Sequence, residues 1–110
     1  MALAPEERDI LLRLARESVA AQVGAGSPPQ PDVEALPPTL HEHRGCFVTL
    51  KNAGRLRGCI GTFQPRGALW EGVIEMGAHA ARDPRFLFAP VTPRELPQLS
   101  IEVSVLSPLE

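Results

Sequence analysis

The order of patterns along this 110-residue chain predicts an α+β domain, an antiparallel sheet with a central hairpin packed against two main helices. Three observations carry that prediction. Two stretches, 5–23 and 68–82, repeat apolar residues at helical spacing. Between them, two β-type runs flank a short turn sequence. After the second helix an alternating run closes the chain.

In the first helix Pro5 suits the first helical position, and Glu6 and Glu7 sit at the positive end of the helix dipole. Leu11, Ala15, Val19 and Val23 form one side, with Asp9, Arg13, Arg16 and Glu17 on the other. Gly24 and Gly26 end it. Prolines, twelve in all, cluster at Pro28 to Pro38 and Pro84 to Pro97, so 24–40 is expected to be a proline-rich connection that sustains neither helix nor central strand.

Arg44 to Lys51 and Arg55 to Gly61 read as two strands joined by Asn52, Ala53 and Gly54. With Lys51 facing Arg55, Leu50 opposes Leu56, Val48 opposes Gly58 and Cys46 opposes Ile60 on an apolar, inward face. Thr49 then pairs with Arg57 and Phe47 with Cys59 on the other face, which is expected to line a cleft. Ala68 to Arg82 is the second helix, with Leu69, Trp70, Val73, Ile74, Gly77, Ala80 and Ala81 apolar and Glu71, Glu75, His79 and Arg82 polar. Asp83-Pro84 stops it. Thr92-Pro93-Arg94-Glu95 has a capping-box pattern that predicts one helical turn, and Leu99 to Leu106 alternates like a half-buried strand.

The length fits one domain over 1–110, and 44% hydrophobic with 22% charged residues is ordinary globular composition. No apolar run is long enough to cross a bilayer and the N-terminus is acidic, so a cytoplasmic protein without a membrane association is expected. Cys46 and Cys59, on opposite faces of the hairpin, are expected to be free thiols. The net charge of -2 is unevenly spread. Residues 44–85 carry seven Lys or Arg against three Asp or Glu, while 1–43 carry three against seven. Arg44, Arg55, Arg57, Arg66, Arg82 and Arg85 could hold an anion through their planar donor forks. An Arg-rich compositional bias explains the same surplus.

The most unusual segment is LRGCIGTF, Leu56 to Phe63. Glycines at 58 and 61 weaken a strand, so something must compensate. They could mark a bulge or a close approach of the second helix, with Cys59 a small packed residue. Alternatively they open the backbone to a ligand on which Arg57 and Cys59 act. At roughly 7 Å and an effective dielectric of about 20, an Arg favours a thiolate by on the order of 2 kcal/mol, enough to raise reactivity but not to secure it.

A nucleophilic thiol needs a base, and the histidines are His41, His43 and His79. His79 shares a helical face with Glu75 and Arg82 and reads as a solvated residue. The pair His41 and His43 lacks the spacing of an established metal motif, so no metal and no cofactor is expected. Phosphate-loop, dinucleotide and serine-elbow motifs are absent, and an acidic chain with few aromatics disfavours nucleic acid as a partner.

Four ordered motifs, GCFVTL (45–50), LRGCIGTF (56–63), DPRF (83–86) and IEVSVLSPLE (101–110), resemble the AMMECR domain family, known in prokaryotes as AmmeMemoRadiSam system protein A. The resemblance implies an α+β fold with an antiparallel sheet, a cleft lined by the RGCIG hairpin, and partnership with a radical SAM protein and a Memo-type protein. The fold has also been likened to nucleotide-, nucleic-acid- and peptide-binding modules. Two features depart from the family. Leu87-Phe88-Ala89 intervenes before Pro90, and family domains continue past the terminal strand, so this chain is expected to carry only the N-terminal portion. The expected function is binding of a small anionic, nucleotide-like or peptide ligand by Arg57, Gly58, Gly61, Thr62, Arg85 and Glu102. The alternatives are a thiol enzyme with Cys59 as nucleophile, served by Glu102 or His79, and a non-catalytic protein-interaction module.

Overall fold

The computed structural model describes residues 3–107, so the end of the terminal motif, Pro108 to Glu110, lies outside the described residues. Helix α1 (Pro5–Gln22) leads through two short 3-10 turns, Val33–Ala35 and Pro38–His41, to strands β1 (Cys46–Asn52) and β2 (Arg55–Thr62). Helix α2 (Leu69–Ala80) follows, then 3-10 turns at Pro84–Phe86 and Pro93–Gln98, and strand β3 (Leu99–Val105). The three strands form an antiparallel sheet in the order β2-β1-β3. Both helices pack on one face of it, so the expected α+β architecture is the one observed.

Each helix starts on an alanine and recruits a glutamate one turn on. The Ala4 N–H donates to Glu7 Oε1 (2.7 Å), and the Ala68 N–H donates to Glu71 Oε1 (3.0 Å). The reciprocal half of a capping box is missing, because alanine has no acceptor. Helix α2 is steadied instead by tertiary contact, its Leu69 N–H donating to the Glu42 carbonyl (2.8 Å). The core joins Leu11, Leu14, Ala15 and Val19 of α1 to Leu69, Val73, Met76 and Ala80 of α2, over Cys46, Val48 and Leu50 of β1. At roughly 1.5–3 kcal/mol per buried aliphatic side chain, this cluster is the main source of cohesion.

The hairpin register differs from the expected one, and the difference is instructive. The turn is two residues, Ala53 and Gly54, both at positive φ (52° and 82°), so Asn52 pairs with Arg55. A bulge opposite Leu50/Lys51 then leaves Arg57 as the extra residue of β2. Beyond it Leu50 pairs with Gly58, Thr49 with Cys59, Val48 with Ile60 and Cys46 with Thr62. Each irregularity shifts the register by one residue, and a one-residue shift exchanges the faces. Two of them cancel. Cys46, Val48, Leu50 and Ile60 therefore point inward and Cys59 outward, as expected. Leu56, between the turn and the bulge, pairs with Lys51 and is 38% exposed, contrary to its expected burial. The two cysteines are free.

Candidate functional site

The glycines of LRGCIGTF answer to packing. A Cβ on Gly58 would lie 2.0 Å from the Ala80 carbonyl oxygen, because the C-terminal end of α2 presses directly on β2 there. A Cβ on Gly61 would enter the Phe47 ring at 2.2 Å. That ring covers the glycine across the strand pair and meets Phe63 edge-on, with centroids 5.2 Å apart.

The DPRF motif acts on the same strand. Asp83 Oδ2 accepts the Cys59 N–H (3.0 Å), and Arg85 Nη2 donates to the Cys59 carbonyl (3.2 Å) while bonding Asp83 Oδ2 (2.6 Å). Two side chains thus satisfy the outer edge of β2 as a fourth strand would, and they blunt an edge otherwise open to another chain. Asp83 is buried, and Arg85 together with the Cys59 N–H holds its carboxyl well below the usual carboxylate range. The Phe86 ring carries the guanidiniums of Arg57 and Arg85 at 5.8 and 5.7 Å from its centroid.

Arg57 spends its donor fork within the chain. Nε and Nη2 donate to the two carboxylate oxygens of Glu95 (2.6 and 3.2 Å), and Nη2 also reaches the Ala89 carbonyl (2.7 Å). Glu95 also accepts from Asn52, and the Arg57 contact lowers its carboxyl pKa. The bulge at Arg57 makes this possible, turning the residue toward the Pro93–Gln98 turn. Cys59 Sγ meets Thr49 Oγ1 at 3.1 Å, and across β1 Thr49 pairs with Glu102, whose carboxylate bonds Lys51 Nζ (3.1 Å). Cys59, Thr49 and Glu102 thus form a row on the sheet face that bears no helix, and His79 lies elsewhere, on α2.

What remains open is the other end of the motif. Ile60, Gly61 and Thr62 form one wall of a groove of about 450 Å³, and Gln64, Pro65, Arg66 and Gly67 form its rim. The exposed side of α2 faces it with Glu71, Glu75 and His79, and Arg44, Gly72 and Met76 complete the lining. Arg44 is 4% exposed. Its Nε donates to the Leu106 carbonyl (2.8 Å), whereas Nη1 is buried without a hydrogen bond among the described residues, 3.7 Å from Glu42 Oε1. A buried guanidinium donor left unpaired is costly and therefore uncommon. Gly72 keeps the groove open: a Cβ there would meet only Cys46 Sγ, at 3.5 Å. Beneath it, burial and then Glu75 push the Cys46 thiol up to about 11.

The structure therefore divides the expected site. Gly61 and Thr62 line the groove, Arg57, Gly58 and Arg85 are engaged in the hairpin's own fastening, and Cys59 and Glu102 lie on the outer face. The groove residues Glu71, Glu75 and His79 read in the sequence as a solvated stripe. Nothing in a helical period says what faces its polar side, and only the packing of the 62–67 connection turns that stripe into a wall. No cluster of three or more His, Cys, Asp or Glu suited to a metal occurs among the described residues, and none of their helices is long and apolar enough to cross a membrane.

The family model for AMMECR1 matches residues 12–110. The chain belongs to the AMMECR1 family. It is similar to a protein of Methanothermobacter thermautotrophicus, 42% identical over the whole of this chain and 58% of that protein. It is 44% identical to a protein of Thermococcus gammatolerans over 93% of this chain and 51% of that one. Among solved structures, the uncharacterized protein PH0010 of Pyrococcus horikoshii superposes with a TM-score of 0.83 at 38% identity, over 96% of this chain and 54% of that one. The chain thus spans about half the length of the relatives it matches. The α+β fold with an antiparallel sheet that the resemblance implies is present, with the RGCIG strand at the sheet's edge.

Proposed function

We propose that this AMMECR1 domain is a binding module for a small ligand bearing an anionic group, held in the groove between the Ile60–Thr62 end of the LRGCIGTF motif and α2. One observation carries the reading: the buried Arg44 lines an open groove, and its Nη1, 3.7 Å from Glu42 Oε1, has no hydrogen-bond partner among the described residues. Mostly preformed, partly apolar clefts of a few hundred Å³ with a few directed polar groups are the usual form of small-molecule sites. Arg57 and Arg85 are weaker candidates for the anion, because each is hydrogen-bonded at 2.6 Å to a carboxylate of its own chain, whereas Glu42 stands 3.7 Å from Arg44 Nη1. On this reading Cys59 is a packed residue. Partnership with a radical SAM protein and a Memo-type protein, in the cytoplasm, belongs to the same proposal and rests on the family resemblance.

Amide NMR with sodium acetate as the probe, against sodium chloride at equal ionic strength, tests the groove. Acetate should shift Gly61, Thr62 and Gly72, and Gly72→Leu, which fills the space above Cys46, should remove those shifts while the fold persists. Shifts no larger than with chloride, or shifts unaltered in Gly72→Leu, would overturn the proposal.

A further inference from the structure

We infer that the ligand is a zwitterion of amino-acid size, with its carboxylate toward Arg44 and its ammonium toward the Glu71–Glu75 wall; this rests on the groove being the ligand site. The charges that line the groove argue against a simple anion. Arg44 and Arg66 stand against Glu71 and Glu75, so a ligand with only negative charge meets two carboxylates for the two guanidiniums it seeks. A neutral molecule with separated charges matches both walls.

The two glutamates are placed for an ammonium. Four residues apart on α2, they face the same side and repel each other. Among the described residues, Glu71 commits Oε1 to the Ala68 N–H with no hydrogen bond to Oε2, and Glu75 makes no side-chain hydrogen bond or ion pair. A cation between them relieves the repulsion and takes up acceptors that the described residues leave unused. Ile60, Met76 and the bare backbone of Gly72 supply an apolar surface between the two charged walls, suited to an aliphatic side chain. Thr62 contributes little polarity, since its hydroxyl is exchanged with the backbone of Gln64 (3.1 Å in each direction).

The class follows from what can present both charges at once. An internal peptide segment presents neither, and a long peptide offers its ammonium and carboxylate far apart. A free amino acid or a dipeptide presents both within the reach of one groove of about 450 Å³.

Saturation-transfer NMR with three equimolar pools decides the matter: the proteinogenic amino acids, simple aliphatic carboxylates, and simple aliphatic amines. The same measurement on a dipeptide pool separates the two sources of the zwitterion. Amino acids or dipeptides should bind about tenfold more tightly than either single-charge pool, and Glu75→Gln, an exposed change, should remove that advantage without weakening the carboxylates. Equal binding of carboxylates and zwitterions, or amino-acid binding untouched by Glu75→Gln, would overturn the zwitterion and leave the anion groove standing. Absence of signal from every pool, in both the native chain and Gly72→Leu, would overturn both.

Discussion

The two halves of Leu56–Phe63 are built under opposite constraints. In the first, the Cys59 backbone is gripped by Asp83 and Arg85, Arg57 is paired to Glu95, and Gly58 lies against the end of α2. In the second, Ile60, Gly61 and Thr62 border a groove also lined by Arg44, whose Nη1 has no hydrogen-bond partner among the described residues. The difference teaches that an unusual motif can be unusual for two reasons in succession. Its glycines and arginine secure the strand, and the secured strand then holds a wall of the groove in place.

If the first half is a fastening, removing its buried anchor should have the largest effect of any single change. Asp83→Ala strips an acceptor from the Cys59 N–H and leaves Arg85 without its carboxylate, so a loss of about 3 kcal/mol in urea denaturation is expected. The pH dependence has a definite sign. The folded carboxyl is held below its unfolded value of about 3.9, so its stabilisation is complete above that pH and is lost as pH falls from about 4 downward. The acid limb should flatten in Asp83→Ala; an unchanged limb would show that the clamp contributes nothing.

A matched pair of alanines compares the halves directly. Gly58→Ala forces α2 away from β2 and should cost about 2 kcal/mol. Gly72→Ala meets only Cys46 Sγ at ordinary contact and replaces a helix-interior glycine, so it should stabilise by about 0.5–1 kcal/mol. The same change narrows the groove and should weaken acetate binding. A gain in stability with undiminished acetate shifts would dissociate Gly72 from the site.

Much of this fold is legible in the residues. The helical periods place Leu11, Ala15 and Val19 against Leu69, Val73 and Ala80, and the alternation in β1 places Cys46, Val48 and Leu50 with them. The register is not, because it depends on a positive φ at Ala53, a residue with no special preference for it, and on a bulge at Arg57, where that residue pairs with the distant Glu95. The faces survive because the two errors cancel. Of the site, the LRGCIGTF motif and DPRF stand out by composition, yet their mutual contact spans a whole helix. The groove is less visible still. Arg44 is one arginine among ten, and its burial arises from α2, β2 and Leu106 converging around it.

The smallest expected effect concerns the two thiols, and it asks whether the outer row on the sheet does chemistry. Cys46 is buried with its thiol pushed up to about 11, so iodoacetamide should leave it intact in the folded chain at pH 7. This shift also carries a stability sign. A thiol with a folded pKa above its unfolded value of about 8.5 contributes fully below that pH, and the contribution declines as pH rises from there through about 11. Cys59 is half-buried, and Thr49 Oγ1 is the only side-chain atom within hydrogen-bond reach of its sulfur among the described residues. A hydroxyl does not take up a proton at neutral pH as a general base would, and Glu102 is one strand further and paired to Lys51. Cys59 should therefore be alkylated no faster than an unstructured thiol at pH 7. A faster rate, abolished in Thr49→Val, would mean that the outer row activates the sulfur and that the fastened half of the motif is itself a reactive centre.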